Sequence, residues 1–484
     1  EDGKHEYLYA TEDHAPESLG FKDELKLYLD VTPGLNIQLV VVFLDSKKQK
    51  ISHVIKYPNR NQEADIPLGT EWLRFGLRFY AGGSADIKGL VLGHRNLQPV
   101  ELIGRAEHLL LTNHYPSYED LYRNGFVHSR VRAYRERGCK VDVFRLRTDE
   151  AVSFHEFEDI DVTTGDQKVL YQMLSTGQYK SVLVHFLDPE MWEVLKHHID
   201  RIKVFVWVHG AEIQPWHRRD FNYQTEDERS VAKMKSEKRM AFWKGLLKEI
   251  PSNLKLVFVS KYLADAVMED LGFVLPEAKY SVIHNAINTD TFIFVEKSSE
   301  QRKKVLSIRP YASPVYANDL SVKAIQALSH KPWFKNLEFR MIGDGKFFIE
   351  TIEPLREFSN VIIEQRFLNQ EEIATLHRQY GIFLCPTRMD SQGVSRDESM
   401  ASGLVPITNN VAAIPEFVDD TCGILAEGED AEALAAGIAT LYENPSMFLA
   451  MSQAAAARVQ RQTCSKKTIN QELLLFINNE LAHF

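Results

Sequence analysis

The chain has 484 residues, 44% hydrophobic and 26% charged, with a formal net charge of −10. That length exceeds one ordinary core and predicts two or three domains of a globular protein, while the negative balance argues against general nucleic-acid binding, which needs a basic surface. No apolar run approaches a membrane span, no signal-like segment follows Glu1, and Cys139, Cys385, Cys422 and Cys464 lack metal-ligand spacing, so reduced thiols of a cytoplasmic protein are expected. A start without Met is expected of a trimmed chain or a piece of a longer polypeptide with further domains.

The first hundred residues read as strands. Glu24–Asp30 and Trp72–Phe79 alternate apolar and polar residues, and Ile37–Leu44 and Ile51–Tyr57 are further candidates. Pro33-Gly34 and Gly82-Gly83 mark turns between them. With no amphipathic helix in the series, residues 1–103 predict a small antiparallel β-sandwich module. Carbohydrate binding and a packing role stay open for it.

From His108 strands alternate with helices. Apolar runs at His108–Thr112, Lys140–Leu146, Ser181–Phe186, Lys203–Val208, Lys255–Val259 and Tyr280–His284 are separated by helical patterns at Arg130–Arg137, Met191–His198, Glu228–Glu249 and Tyr262–Leu271. This is the rhythm of a mostly parallel, helix-flanked sheet. Within it, Trp207-Val208-His209-Gly210 closes a strand and makes His209 a site candidate, whereas His185, also at a strand end, is read as structural. Asn124-Gly125-Phe126-Val127-His128 contributes Gly125 and His128 as candidates. Asp159-Ile160-Asp161 is an Asp-x-Asp in an acidic stretch, read as a solvated loop or edge strand, so no metal is predicted. Two basic clusters stand out: Arg123, Arg130, Arg132, Arg135, Arg137, Lys140, Arg145 and Arg147 around the first helix of this region, and Lys233, Lys235, Lys238, Arg239, Lys244 and Lys248 along a long helix that also carries Met240, Phe242, Trp243 and Leu247. A peripheral membrane contact and a plain solvated face over core aromatics both stay open for these faces.

The rhythm restarts at Lys304–Ile308 and continues through Leu337–Ile342, Val361–Glu364, Ile382–Leu384, Val405–Thr408 and Gly423–Leu425, which predicts a second doubly wound domain over 291–465 after the first over 104–290. Residues 466–484 predict a terminal helix with Leu473, Leu474, Phe476, Ile477 and Leu481 on an apolar stripe. Residues 382–425 are the most informative. A strand ends at Cys385-Pro386, a polar loop holds Asp390, Ser391, Gln392 and Gly393, and a helix carries Glu398 eight residues after Asp390. A helix that starts at a strand's carboxyl edge aims free N–H groups and a positive dipole end into the crevice. Two carboxylates flanking such an anion site suit a ligand that is phosphorylated and rich in hydroxyls, as a nucleotide-sugar is.

The pattern Asp390-x7-Glu398 with Gly393 inside it, then Ala401–Pro406 and Ile414-Pro415-Glu416-Phe417-Val418, resembles the donor-site signature of retaining GT-B nucleotide-sugar glycosyltransferases, the group 1 or family 4-like enzymes. Further pieces fall in order: Ser281–Phe292 resembles the inter-domain segment, Lys304–Arg309 the first donor-domain strand, and Met341-Ile342-Gly343-Asp344-Gly345 the strand-end glycine turn. The set covers about residues 105–465 and is more specific than any single motif. The family's usual first acid is Glu, and the aromatic that commonly precedes the glycine is here Gln392.

The resemblance implies an α/β protein with two Rossmann-like domains, and a terminal helix that crosses back to the first. It implies Arg309 on the leaving diphosphate, Glu398 on the ribose hydroxyls, Asp390 and His209 facing the donor sugar, and Gly125, Gly343, Ser391, Gln392 and Gly393 around the donor. The family's partner lysine is replaced by Pro314, and Lys323, Tyr316 and Asn318 are candidate substitutes. The implied activity is metal-independent, retaining transfer from a nucleoside-diphosphate-sugar, UDP-sugar first, to a saccharide or lipid-linked saccharide, in bacterial surface-polysaccharide synthesis of the O-antigen or capsule kind. No cofactor is implied, and the place would be the cytoplasm or the inner face of the membrane. A non-catalytic carbohydrate-binding scaffold and a nucleotide-sugar epimerase remain as alternatives.

Overall fold

The computed structural model describes residues 5–477 apart from 20–22, 32–35, 60–61, 81, 83, 94–105, 119 and 121–123. The Pro33-Gly34 turn, Gly83, Arg123, Leu481 and the 103/104 boundary lie outside the described residues. The chain divides into two compact units, one of Glu1–Glu119, Lys140–Lys180 and Val194–His198, the other of Asp120–Cys139, Ser181–Glu193 and Ile199–Phe484.

In the first unit, β1 (His5–Tyr9), β2 (Glu24–Val31), β3 (Asn36–Leu44), β4 (Lys50–Lys56), β5 (Gln62–Asp65), β6 (Trp72–Tyr80) and β7 (Ile87–Gly93) form two antiparallel sheets, ordered β1-β6-β3-β4 and β5-β2-β7. The period-2 pattern decides the faces: Leu25, Leu27 and Leu29 of one sheet are buried with Ile37, Leu39, Val41, Phe43 and Leu73 of the other. The expected sandwich is therefore present, with three strands that the sequence did not predict. Of those, β5 is a polar Gln-Glu-Ala-Asp run without an apolar signal, and β1 is exposed throughout, its Tyr7-Leu8-Tyr9 run lacking the alternation of a half-buried strand.

The same unit holds β8 (His108–Thr112), β9 (Val141–Leu146), β10 (Ser153–Phe157) and β11 (Ile160–Gly165). Strands β8, β9 and β11 are parallel neighbours, and β10 folds back on β11 as a hairpin. Its turn residues Glu158 and Asp159 both take positive φ, 44° and 65°. Asp159 thus sits in the turn, while Asp161 pairs with Glu156 across the ladder.

The second unit carries parallel strands β12 (Ser181–His185), β13 (Lys203–Val208), β14 (Leu254–Phe258) and β15 (Tyr280–Val282). It also carries a six-stranded parallel sheet of β16 (Lys304–Ile308), β17 (Glu338–Gly343), β18 (Val361–Gln365), β19 (Ile382–Leu384), β20 (Val405–Asn409) and β21 (Ile424–Ala426), ordered β18-β17-β16-β19-β20-β21. Helices cover it: Leu320, Ala324, Leu434 and Ile438 pack with Val305, Leu384 and Ile407, and Leu376 packs with Leu306 and Phe383. The order reverses between β16 and β19, so their carboxyl ends open a crevice.

The terminal helix, Ser465–Phe476, packs on Gly125–Glu136, with the Phe476 and Tyr134 rings edge to face at 5.4 Å. Its inward face is Thr468, Ile469, Glu472 and Phe476, and Leu474 is 58% exposed. Of the predicted stripe, Phe476 faces the contact, while Leu474 and Ile477 are turned away from it. Glu472 turns inward because Arg130, itself 1% exposed, donates to its Oε1 from Nε at 2.9 Å. Trp207 Nε1 donates to the same oxygen at 3.2 Å, and the Tyr134 hydroxyl donates to Oε2.

Candidate functional site

Arg309 follows β16 directly, and its backbone N–H extends the ladder to the Ile342 carbonyl at 3.0 Å. The side chain is 5% exposed. Its Nη1 donates to Ser395 Oγ at 3.1 Å and Nη2 makes a long contact to the Pro386 carbonyl at 3.5 Å, while Nε has no partner. The Tyr316 ring centre lies 5.1 Å from the guanidinium carbon. Among the described residues no carboxylate lies within ion-pair distance of this cation. Gly343 explains how it is seated: a Cβ there would stand 1.9 Å from the Arg309 carbonyl oxygen, so only glycine lets the ends of β16 and β17 close together.

Across the crevice the Val394–Ala401 helix starts at Gly393, whose φ of 97° is left-handed. A Cβ at Gly393 would also meet Arg396 Nη1 at 2.7 Å. The Arg396 guanidinium folds under the turn and donates to Asp397 Oδ1 from Nε at 3.0 Å and from Nη2 at 2.6 Å. Gln392 is 1% exposed, and its amide is spent internally, donating to the Asn285 carbonyl at 3.1 Å and to Asp397 Oδ2 at 3.0 Å, and accepting from the Asn285 N–H. It fixes the loop and leaves no polar atom for a sugar. Ser391 Oγ donates to the His209 carbonyl at 2.6 Å, which ties this loop to the end of β13.

Glu398 is half-buried one turn into the helix and has no side-chain partner among the described residues. Burial, and then the neighbouring Asp397 carboxylate, push its pKa up to about 8. Asp390 is half-buried, and its Oδ1 accepts from the Gln392 N–H at 3.1 Å.

His209 is half-buried against Phe126 and Phe186, with ring centroids at 4.8 and 4.6 Å. Its Nε2 lies 3.0 Å from Nδ1 of fully buried His185. Burial, with the Arg130 charge, holds both imidazoles well below the usual histidine pKa, so both are neutral at pH 7. His185 Nε2 is buried without a partner, which favours leaving it unprotonated. The His185 proton then sits on Nδ1, His209 Nε2 accepts it, and His209 Nδ1–H is left as a donor. Phe186, beside this pair, carries the strain of a positive φ, 62°.

Other candidates fall elsewhere. Gly125 opens the Gly125–Glu136 helix with free space where a Cβ would stand. Lys323 is not brought to Arg309. It pairs with Asp319 at 3.5 Å and lines a depression of about 570 Å³ whose walls include Asn318 and Arg388 but not Arg309, Asp390 or Glu398. Its place on the helix surface, one turn after Asp319, accounts for that pairing. Asn318 is used by the backbone, donating to the Pro310 carbonyl at 2.9 Å. Among the described residues no group of His, Cys, Asp and Glu is gathered as metal ligands, and no helix is long and apolar enough to cross a membrane. The basic faces are thinner than their sequences suggest. Arg130 is buried on Glu472, Arg239 donates to the Gln214 carbonyl at 3.1 and 2.6 Å, and Trp243 Nε1 donates to the Glu212 carbonyl at 2.6 Å.

Two residues that sequence reasoning passed over hold the site together. Asn285 links Arg130 Nη2, at 2.8 Å, to the Gln392 amide. Glu416 accepts from the Lys261 and Tyr262 N–H groups at 3.0 and 3.1 Å, capping the Lys261–Leu271 helix from the far sheet. The only signal for Glu416 was its place in the Ile414–Val418 motif.

Residues 302–444 match the family model described as Glycosyl transferases group 1. Among curated proteins, none matches the chain. Similar solved structures include a glycosyltransferase from Rickettsia africae ESF-5, 15% identical with a TM-score of 0.58 over 78% of this chain and 100% of that one. A sucrose-phosphate synthase from Thermosynechococcus elongatus is 14% identical, with a TM-score of 0.58 over 78% and 100%. The pneumococcal O-GlcNAc transferase GtfA, in complex with UDP and GlcNAc, is 12% identical, with a TM-score of 0.57 over 78% and 100%. At these identities the likeness carries the fold, which is the GT-B type with Rossmann-like domains that the motifs implied.

Proposed function

We propose that the chain is a glycosyltransferase that takes a sugar from a nucleoside-diphosphate donor, a UDP-sugar first, and passes it to a saccharide or lipid-linked saccharide with retention of configuration. The observation that carries this reading is the Arg309 crevice, where a buried cation without a carboxylate, the start of the Val394–Ala401 helix and the unpartnered Glu398 carboxyl come together. A buried charge is costly without a counter-ion, and a diphosphate supplies one. The matched span, 302–444, contains all three. Residues 291–465 would then hold the donor and 104–290 the acceptor.

In the proposed reaction the bond between the anomeric carbon and the phosphate oxygen breaks, and the acceptor hydroxyl oxygen bonds to that carbon on the same face. The acceptor's proton passes to the leaving phosphate. Arg309 and the helix N–H groups stabilise the charge that grows on the leaving oxygen, which supplies the positive charge without a metal. Glu398 accepts from the ribose hydroxyls, and Asp390 and His209 Nδ1–H orient the sugar. A role in bacterial surface-polysaccharide synthesis, beside the membrane's inner face, follows from the family resemblance alone. The test is a panel of nucleotide-sugars, read first by thermal stabilisation and then by release of nucleoside diphosphate with and without glycan acceptors. Diphosphate release that rises with an acceptor is expected. Binding without turnover would make the protein a scaffold, and interconversion of free nucleotide-sugars would make it an epimerase.

A further inference from the structure

The crevice holds one arginine from the six-stranded sheet, and Pro314, five residues after it, carries no charge. Two phosphates of a diphosphate carry more charge than one guanidinium neutralises. A second arginine stands near the end of β13. Arg219 lies in the 3-10 segment Trp216–Asn222 at a kink, with φ −130° and ψ 30°. Its guanidinium is folded back on Gly210: Nη2 stands 3.2 Å from where a Cβ would be, and Gly210 has φ 127°. Gly210 directly follows His209, whose carbonyl accepts from Ser391 at 2.6 Å, so the backbone that Arg219 folds onto is tied at the preceding residue to the loop that carries Asp390.

Three further observations place it at the crevice. Ser313 Oγ donates to Asn222 Oδ1 at 2.8 Å, which ties the Arg219 segment to the loop that holds Tyr316. The Tyr316 phenol, which faces Arg309, also feels the positive charge of Arg219 and the negative charge of Asp390. Arg219 is poorly satisfied within the protein: Nη2 has a 3.5 Å contact to Gln214 Oε1, and Nε is buried without a partner. Gln214 is 1% exposed, and its Nε2 likewise has no partner. Glu212, nearby, turns one carboxylate oxygen to the His209 N–H at 2.5 Å instead of to Arg219. The loop is rigid around them, since Arg239 and Trp243 hold the Gln214 and Glu212 carbonyls.

We propose that Arg219 is a second phosphate-binding residue, which takes over from the opposite sheet the charge that Pro314 cannot supply and meets the diphosphate between itself and Arg309. This rests on the nucleotide-sugar reading above. The test is calorimetry of the full chain with UDP, UMP and uridine, on wild type, Arg219→Met and Arg219→Lys, with thermal unfolding to confirm that the variants fold. Arg219→Met should weaken UDP by about ten- to hundredfold, as expected on losing a charge-assisted hydrogen bond, with a much smaller loss for UMP and none for uridine. Arg219→Lys should recover part of the UDP loss even if Arg219→Met folds poorly. Equal UDP affinity in wild type and Arg219→Met, or equal losses for UDP and uridine, would overturn the assignment while leaving the donor reading intact. If wild type bound none of UDP, GDP, ADP and dTDP, both would fall together.

Discussion

Arg130 and Arg309 are enclosed to nearly the same degree, 1% and 5% exposed, and both belong to the second unit. Arg130 is surrounded by acceptors: Glu472 takes Nε, Asn285 takes Nη2, and Tyr134 and Trp207 complete the Glu472 carboxylate. Arg309 has one serine hydroxyl, one long carbonyl contact and an idle Nε. A buried charge whose counter-ion is part of the chain is a fixture of the fold. One without a counter-ion among the described residues leaves its charge open to an anion, which is the basis of the donor-site proposal. The two are linked, because Asn285 touches Arg130 on one side and, on the other, Gln392 of the loop that precedes the Val394–Ala401 helix.

That contrast predicts opposite consequences for loss of each charge. Glu472→Ala strands Arg130 in the interior and should cost about 3–5 kcal/mol of stability, read by chemical denaturation. If it cost under about 1 kcal/mol, the pair would not be a fixture at all. Arg309→Met should leave stability level or raise it, since it removes an uncompensated buried charge. It should also weaken UDP binding by about 1.5–3 kcal/mol and slow transfer further, because charge grows on the leaving oxygen. An Arg309→Met protein that unfolded like Glu472→Ala would erase the distinction.

The contrast also shows what a sequence carries. Strands β8, β13, β16 and β19 have the bounds that their apolar runs predict, because a strand buried on both faces leaves a continuous signal. The β10–β11 hairpin left none, since Glu158 and Asp159 turn it in place of the usual glycine or asparagine. Arg309, Gly393 and Glu398 were legible through motif order. Glu472 was hidden, because a helical stripe is read from apolar residues and its partner Arg130 is 342 positions away. Gln392 looked like a sugar contact because it sits in the right loop, and only the folded chain shows its amide already bonded. Arg219 lay in a polar stretch with no pattern, and a kink, with a glycine nine residues earlier, sets the position on which its proposed role rests.

Glu398 sharpens the comparison from the acid side. Its pKa stands near 8 in the folded protein against an ordinary 4.5, so the folded state keeps a proton that the unfolded state has released. Stability should therefore be untouched by this group below pH 4.5, fall as pH rises toward about 8, and level off above. Glu398→Gln should be more stable than wild type, with a gap that opens through that window. A ribose hydroxyl donates best to the ionised carboxylate, so UDP should bind more tightly as pH rises toward 8 and should expel a proton. Calorimetry in buffers of different ionisation enthalpy measures that proton. Glu398→Ala should lose about 1.5–3 kcal/mol of UDP affinity and the proton release with it.

The smallest effect on binding is expected at Asp390, and it separates holding the nucleotide from aiming the sugar. Asp390→Asn keeps an oxygen to accept from the Gln392 N–H, so the loop and its hold on Gln392 should survive. UDP lacks the transferred sugar that Asp390 is proposed to hold, and its affinity should stay within about 0.5 kcal/mol of wild type. Single-turnover transfer from the intact donor should nevertheless slow by about ten- to hundredfold, since a charged acceptor aligned on sugar hydroxyls contributes more in the transition state than in the ground state. If Asp390→Asn lost UDP affinity as severely as Glu398→Ala, the two carboxylates would share one task, and the split between ribose and sugar drawn from their positions would be wrong.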